Sequence, residues 1–373
     1  MTTKAEIQEQ ALKAVMMHSR AGVEMTMGTG KTMLGLTYIR KKGGKALVVV
    51  PRTALKGNWQ QEIKDREFGD LDITFTTYRS LLKHDPKEYE CIIFDEAHNL
   101  KDTAMPFISE IQGSVLGLTG TPPRHRGNER YAIMEQVYPI RYVYDLNKAL
   151  EDELLNNVVI NLWGIELSSE QNFRTKSGRM TSEKQMYSFL TNRISALEEE
   201  IQGQLMLGNR AAEYTLKGEL RALRITRLSK IKQFKGKDEL IKKVIRSIPE
   251  DEKILAFASN QEQCSRLFRN YHTSLNNKAR NEEVLSKFRS GEYRIIAAID
   301  QLSEGINIPN LRNIIISHSY ASEQKPMQKI GRALRLNPKD TASVHILYYK
   351  GTIDEEWVKQ GIQSIDPSKI IYK

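Results

Sequence analysis

Apolar runs of strand length alternate with helical patterns along the first 140 residues. The runs are ALVVV, DITFT, CIIFD and VLGLT, and stretches such as MLGLTYIRK carry apolar residues at helical spacing. This alternation is typical of a parallel sheet whose strands are connected by crossover helices. The first part of the chain is therefore predicted to form an α/β lobe.

The same alternation returns after about residue 240, where KILAFA, RIIAAI, NIIIS and SVHILYY have the composition of buried strands. A second α/β lobe is predicted there, and NNVVINLWGIELSSEQ could supply the strand that opens it. The expected division has four parts: lobe 1 at 1–140, a connector with the start of lobe 2 at 141–180, a helical basic insertion at 181–237 and lobe 2 at 238–373.

The insertion is predicted to consist of long helices with a basic second half. Residues 209–237 contain nine Lys or Arg and two Glu. Arg221, Arg224 and Arg227 are three apart, so they would lie along one face of a helix. Such a face could bind a phosphate backbone, or it could be an ordinary solvated surface.

Composition limits the possible classes of protein. The 373 residues are enough for two domains, and the 40% hydrophobic and 27% charged contents are those of a soluble globular chain. No apolar run approaches the ~18 residues of a membrane span, and the first residues lack the apolar segment of a secretory signal. We therefore expect a cytoplasmic protein. Its formal net charge of +10 favours phosphate-bearing partners.

The two cysteines point to the same compartment. Cys91 and Cys264 are far apart in sequence and fall in a predicted strand and a predicted helix. Isolated cysteines without C-x-x-C spacing indicate a reducing environment and predict no zinc site.

A candidate phosphate-binding loop lies in GVEMTMGTGKTML, residues 22–34. Gly28, Gly30, Lys31 and Thr32 follow the order of G-x-x-x-x-G-K-[ST], although Met25 stands where the strict pattern has glycine. Glycines allow consecutive backbone N–H groups to point at one anion, and the following helix adds its N-terminal dipole. Lys31 would contact the β- and γ-phosphates, and the hydroxyl of Thr32 would bind Mg²⁺.

Two adjacent carboxylates follow the apolar run in CIIFDEAHNL, residues 91–100. Asp95 and Glu96 would lie at the carboxyl end of a strand, which is the edge where open α/β sheets bind ligands. Asp95 would hold Mg²⁺, and Glu96 would orient and deprotonate a water for attack on the γ-phosphate.

Together these segments resemble the superfamily 2 helicases and translocases, of the DEAH type in the second motif. The segments that carry the resemblance occur in the family's order: MTMGTGKT (motif I), VVVPRTALKGNWQQEI (Ia), DITFTTYRSLL (Ib), CIIFDEAHNL (II), LTGTPP (III), ILAFASN (IV), FRSGEYRIIAAIDQLSEGINIPNLRNIII (V) and QKIGRALR (VI). The resemblance implies an α/β fold of two RecA-like lobes, each a mainly parallel sheet with helices on both faces.

The resemblance also implies site residues. At ATP and Mg²⁺ it implies Gln8, Gly28, Thr29, Gly30, Lys31, Thr32, Asp95, Glu96, Gly305 and Asn307. Arginine fingers that cross the interlobe cleft would be Arg332 and Arg335. Residues that couple hydrolysis to movement would be His98, Thr119, Thr121 and Gln328. Contacts with nucleic acid would come from Arg52, Thr53, Thr77, Ser259, Asn260, Gln301 and Ser303.

The sequence departs from the family pattern at two of these positions. No aromatic residue precedes Gln8, which would contact adenine, and Asn307 stands where many relatives have Asp. The form LTGTPP of the third motif is similar to that of chromatin-remodelling translocases, whereas the form GRALR of the sixth motif resembles that of strand-separating helicases.

The function expected from the sequence is an ATP-dependent helicase or translocase that acts most readily on DNA, at forks, branches or junctions between single strands and duplex. An RNA helicase of the same fold and a remodelling ATPase that does not unwind remain alternatives. The backbone-contacting residue types predict little sequence specificity and a strong salt dependence. We expect a monomer, and the small size fits a minimal motor of phage origin in a bacterial cytoplasm.

Overall fold

The computed structural model describes residues 3–26, 28–124, 126–175, 178–299, 308–318, 326, 329–331, 340–363 and 365–373. Its helices are α1 (Lys4–Met16), α2 (Lys31–Lys42), α3 (Lys56–Asp65), α4 (Met105–Ile108), α5 (Glu129–Val137), α6 (Leu146–Glu151), α7 (Glu183–Met206), α8 (Arg210–Gln233), α9 (Gly236–Ser247), α10 (Gln261–Leu267), α11 (Lys278–Ser290) and α12 (Ile353–Gly361). Short 3₁₀ helices span Thr53–Leu55, Tyr78–Lys83, Pro86–Glu88, Ala97–Asn99, Asp102–Ala104 and Pro367–Lys369.

The strands of the first half are β1 (Arg20–Met25), β2 (Ala46–Val50), β3 (Ile73–Thr77), β4 (Cys91–Asp95), β5 (Ser114–Thr119) and β6 (Ile140–Tyr144). Those of the second half are β7 (Asn157–Ile165), β8 (Phe173–Arg174), β9 (Met180–Thr181), β10 (Ile254–Phe257), β11 (Tyr271–His272), β12 (Ile295–Ala298), β13 (Asn313–Ile316), β14 (Thr341–Tyr349) and β15 (Ile370–Tyr372).

The first sheet has the strand order β3-β2-β4-β5-β1-β6. All of its pairs are parallel, with Asp95 of β4 opposite Leu118 of β5 and Glu24 of β1 opposite Thr119. All five residues of β2 are buried, as expected for a strand that helices cover on both faces. Because β6 pairs with β1, the first sheet extends past the expected boundary at residue 140.

The second sheet has the order β11-β12-β10-β13-β14-β7-β15, and its pairs are parallel as well. The strand expected to open this half is β7, which pairs with β14 along nine residues. The prediction of an α/β fold with two parallel sheets flanked by helices is thereby confirmed.

Two long helices, α7 and α8, form an antiparallel hairpin between β9 and α9. Each has 24 residues, and α7 begins with a capping box in which Ser182 and Gln185 bind each other's backbone N–H. Apolar side chains between the helices include Leu197, Ile201 and Leu220. Within the described ranges, no helix has both the length and the apolar character that crossing a membrane requires.

Candidate nucleotide and nucleic-acid site

The candidate phosphate loop connects β1 to α2, as the sequence predicted. Gly28 and Gly30 have φ angles of +84° and +94°, in the left-handed region that side chains with a Cβ rarely adopt. Gly30 is the N-cap of α2, so the free backbone N–H groups of the helix start directly after it. This geometry suits an anion.

Side chains of the loop bind its own carbonyl groups. The Lys31 ammonium donates to the carbonyl oxygen of Met25 (2.9 Å), and the Thr29 hydroxyl donates to that of Thr26 (2.8 Å). A Cβ placed on Gly120 would lie 3.4 Å from Lys31 Nζ, so the LTGTPP segment passes beside the lysine. Thr32, the next residue of α2, is half-buried.

Gln8 lies against the phosphate loop. Its Nε2 donates to the carbonyl oxygen of Thr29 (3.3 Å), and a Cβ on Gly30 would approach this amide to 2.0 Å. The backbone angle favours glycine at position 30, and a Cβ there would also displace the flexible amide of Gln8 from the loop. The contact brings α1 to the loop, where the sequence had predicted a nucleotide contact for Gln8.

Asp95 is the last residue of β4, and its two carboxylate oxygens and its backbone carbonyl each accept a hydrogen bond. Trp59 Nε1 donates to Oδ2 (2.9 Å), the backbone N–H of Glu96 donates to Oδ1 (3.0 Å), and the hydroxyl of Tyr78 donates to the backbone carbonyl (2.8 Å). The loss of hydration at this position, followed by the charge of Glu96, raises the pKa of Asp95 to about 6. Bound cationic charge would favour the ionised carboxylate.

Glu96 and His98 connect this strand end to the LTGTPP segment. Glu96 has a φ of +48°, an uncommon backbone conformation for a residue with a side chain. The Nδ1 atom of buried His98 lies 3.0 Å from Thr119 Oγ1 and 3.6 Å from Glu96 Oε2. Thr119 Oγ1 also accepts the backbone N–H of Thr121 (3.2 Å). The predicted coupling residues His98, Thr119 and Thr121 are thus directly connected.

The donor set fits Mg²⁺ bound mainly through a nucleotide. Among the described residues, no group of three or more His, Cys, Asp and Glu could hold a metal ion. Mg²⁺ commonly uses one or two protein oxygens together with phosphates and waters. The Asp95 carboxylate and the Thr32 hydroxyl could supply these protein oxygens.

The candidate nucleic-acid residues of the first lobe lie at strand ends or just after them. Arg52 and Thr53 are exposed between β2 and α3, and Thr77 is half-buried at the end of β3. β2 and β3 are neighbours in the sheet, so these segments share one edge. Their role in binding nucleic acid stays a prediction.

The corresponding residues of the second lobe make internal contacts. The hydroxyl of buried Ser259 lies 3.2 Å from that of Ser317. Asn260 caps α10 by accepting the Gln263 N–H (2.8 Å), and its Nδ2 donates to the carbonyl of Lys232 at the end of α8 (2.6 Å). These side chains fix the lobe and the end of the helical hairpin.

Two of the three hairpin arginines contact α7 instead of projecting freely. Arg224 forms an ion pair with Glu198 (2.6 Å). Arg227 donates to the Thr191 hydroxyl (3.2 Å), and its guanidinium lies 5.6 Å from the centroid of the Tyr187 ring. Arg221 is exposed. The three arginines lie on one helix, as expected, and two of them also contact α7; whether this face binds a phosphate backbone stays a prediction.

Several predicted residues lie outside the described part of the chain. They are Gln301, Ser303, Gly305, Asn307, Gln328, Arg332 and Arg335.

Three polar contacts of the first lobe were not anticipated from the sequence. Trp59 and Tyr78 bind Asp95 from positions 36 and 17 residues upstream. In addition, the buried carboxylate of Glu24 pairs with Arg124. A signal existed for Trp59, since it is the one aromatic residue in the largely polar helix KGNWQQEIKD.

Two known protein families match the chain, one in each half. The family described as type III restriction enzyme, res subunit, matches residues 3–70 and 59–124, and the helicase conserved C-terminal domain matches residues 236–337. The first match includes strands β1 to β5 of the first sheet, and the second match includes β10 to β13 of the second sheet.

Relatives along most of the chain include helicase-type proteins. DNA 3'-5' translocase XPB2 of Sulfurisphaera tokodaii is 26% identical over 372 residues, which cover 94% of this chain and 82% of the relative. Rad25 of Haloarcula marismortui is 22% identical over 91% of this chain, and about half of its own length, 51%, is covered.

A solved structure supports the fold. The helicase domain of Hef from Pyrococcus furiosus superimposes with a TM-score of 0.54 at 15% identity, covering 96% of this chain and 97% of the other. At this identity the likeness concerns the fold, which is that of two RecA-like lobes. The two family matches and the similarity to XPB2 relate both halves of the chain to ATP-hydrolysing enzymes of the helicase type.

Proposed function

We propose that the protein is an ATP-dependent DNA helicase or translocase with a DEAH-type second motif. One observation carries the proposal: three loops meet at the carboxyl ends of the adjacent strands β4, β5 and β1. They bring the phosphate loop, Asp95–Glu96 and Thr119–Thr121 to one edge of the sheet. Open α/β sheets bind ligands at this edge.

ATP would bind with its phosphates on the N–H groups from Gly28 to Thr32. Lys31, which now donates to the Met25 carbonyl, would turn to the β- and γ-phosphates. Asp95 and Thr32 would hold Mg²⁺, which supplies positive charge to the phosphates. Glu96 would orient the attacking water and accept its proton.

Hydrolysis would change the contacts of His98 with Glu96 and Thr119. These contacts would thereby transmit the loss of the γ-phosphate to the LTGTPP loop. The distances of 3.0 and 3.6 Å support a continuous path between these groups. We assign Arg332 and Arg335 as the arginines that complete the site from the second lobe, where closure would make hydrolysis depend on lobe movement.

DNA is the proposed track. The basic surplus of the chain and the relation to a DNA 3'-5' translocase support this choice. DNA would pass over Arg52, Thr53 and Thr77 of the first lobe, and movement would run in the 3'-5' direction. Because most of these contacts would be with the phosphate backbone of the DNA, we expect little preference for particular base sequences.

The experiment compares ATP hydrolysis with single-stranded DNA, duplex DNA, forked DNA and RNA of matched length. DNA should stimulate hydrolysis more than RNA, and displacement of streptavidin from a biotinylated strand should be faster at the 5' end than at the 3' end. Stronger stimulation by RNA would favour the RNA helicase. Hydrolysis stimulated by duplex, without strand separation on forks, would favour the translocase that does not unwind.

Variants of the site test the chemistry. Lys31→Ala should abolish nucleotide binding and turnover, whereas Lys41→Ala at the exposed end of the same helix should change neither. Glu96→Gln should lower turnover by roughly 10²- to 10⁴-fold with nucleotide binding retained, because it removes the base and leaves the phosphate loop intact. Turnover by Glu96→Gln near the wild-type rate would refute the assignment of the base.

A further inference from the structure

Trp59 joins three segments of the first lobe around Asp95. It is the buried residue of α3, with 1% of its surface exposed. Its indole N–H donates to Asp95 Oδ2 (2.9 Å). Its ring lies on Gly35 of α2, where an added Cβ would be 2.6 Å from Cη2, and it meets Phe75 of β3 edge-on, with 6.4 Å between centroids.

The hydrogen bond fixes the orientation of the carboxylate. An indole N–H can only donate, and a hydrogen bond to an ionised carboxylate is stronger than one between neutral groups. Oδ1 of Asp95 is held by the N–H of Glu96 (3.0 Å), so a separate donor restrains each oxygen. A carboxylate has about four lone-pair positions, and the unoccupied ones remain for a cation.

We propose that Trp59 is a positioning residue, whose indole N–H holds the Asp95 carboxylate in the orientation that binds the Mg²⁺ of a Mg²⁺–nucleotide complex. The proposal rests on the function proposed above. Hydrogen-bonding partners of metal-binding carboxylates commonly change metal affinity or activity by about 10- to 100-fold when they are lost.

If Trp59 served only to pack the first lobe, loss of its indole N–H would not change the binding of Mg²⁺. The ring fills the space above Gly35 whether or not its N–H has an acceptor. Trp59→Phe keeps an aromatic ring in the helix and removes the donor, so it separates the two roles. Trp163→Phe is the matched control, because the indole of Trp163 donates to His345 Nδ1 (3.2 Å) in the second sheet.

The first measurement is Mg²⁺ titration of the binding of a fluorescent ATP analogue. In Trp59→Phe, the Mg²⁺ concentration at half-saturation should rise about 10- to 100-fold, while binding without metal stays at the wild-type level. Trp163→Phe should match the wild type in both. If the wild type fails to bind the analogue, the proposed nucleotide site itself is wrong. Wild-type Mg²⁺ dependence in Trp59→Phe would instead overturn only the role of Trp59, as would equal weakening with and without metal.

A second measurement leaves Trp59 in place. The chain has three tryptophans, so Trp163→Phe combined with Trp357→Phe makes Trp59 the sole one. Adding Mg²⁺ to this protein, already saturated with a non-hydrolysable ATP analogue in the presence of a chelator, should shift or quench its emission. The change should disappear when Asp95→Asn is added. Emission that does not respond to Mg²⁺ would overturn the proposal even if Trp59→Phe proved unable to fold.

Discussion

A buried ion pair, Lys237–Asp354, holds the second lobe together. Lys237 is 3% exposed and Asp354 is fully buried. The ammonium donates to the carbonyl oxygens of Ser317 (2.7 Å) and Leu347 (2.9 Å) and to the Asp354 carboxylate. The pair therefore joins the start of α9 and the beginning of α12 to β14 and to the residue that follows β13. Burial lowers the pKa of Lys237, and the neighbouring carboxylate opposes this shift.

The perturbation is Lys237→Met, which preserves most of the side-chain length. It removes three hydrogen bonds and leaves Asp354 buried, with the Tyr349 N–H still donating to its Oδ2 at 3.1 Å. Removal of one partner from a buried pair destabilises proteins by about 3–5 kcal/mol, since it leaves an uncompensated charge. Adding Asp354→Asn removes that charge, so the double variant should recover at least about 1 kcal/mol.

Tryptophan fluorescence during urea unfolding measures this effect in one lobe. With Trp59→Phe as the background, the remaining indoles are Trp163 in β7 and Trp357 in α12, both in the second lobe. Lys243→Met, at an exposed position of α9, is the control and should have little effect. A loss below about 1 kcal/mol for Lys237→Met, or a double variant less stable than the single one, would refute the reasoning.

Three further predictions concern single side chains. Gly30→Ala should cost about 1–2 kcal/mol because of its φ of +94°, and it should weaken nucleotide binding because the added Cβ displaces the Gln8 amide from the loop. Gly218→Ala, on an open helix surface, should instead stabilise by about 0.5–1 kcal/mol, and equal effects of the two variants in thermal unfolding would contradict this reasoning. Burial lowers the pKa of His345 to about 4. The neutral imidazole therefore contributes about 3 kcal/mol of stability above pH 6.5, which is lost as the pH falls towards 4. His345→Gln should remove this part of the pH dependence of unfolding, and an unchanged pH profile would contradict the role of His345. Arg221→Glu should lower the slope of log affinity against log salt for duplex DNA by about 0.9 if this exposed arginine contacts one phosphate, whereas the same slope as in the wild type would indicate a solvated surface.

The sheets could be predicted because their strands are buried on both faces. β2 and β4 are almost continuous apolar runs, and such runs are visible without knowledge of their neighbours. The strands β8, β9 and β15 have two or three residues each, too few to produce a pattern. Their positions depend on pairing with distant residues.

The α7–α8 hairpin shows which information the spacing of residues along a helix does not contain. Three arginines at intervals of three do share a helix face, but the sequence does not tell which face the next helix covers. Glu198 and Thr191 of α7 bind Arg224 and Arg227, and these contacts depend on how the two helices pack. In the same way, the order of motifs predicted nucleic-acid contacts for Ser259 and Asn260, and only the fold shows that both also make hydrogen bonds within the protein.

Trp59 connects the proposed DNA-contacting segment, Arg52–Thr53, to the proposed metal ligand Asp95 through the first turn of α3. The 3₁₀ turn Thr53–Leu55 runs directly into α3, and Lys56 of that helix donates to the carbonyl of Phe75 (3.1 Å). One turn later, Trp59 reaches Asp95 and packs on α2, the helix that starts at Lys31. On the proposed function, a shift of Arg52 and Thr53 on DNA would therefore move the indole N–H relative to the carboxylate. Weaker DNA stimulation of hydrolysis in Trp59→Phe, at saturating Mg²⁺ and nucleotide, is the consequence expected of such a path. Stimulation as strong as in the wild type would confine Trp59 to orienting the metal ligand.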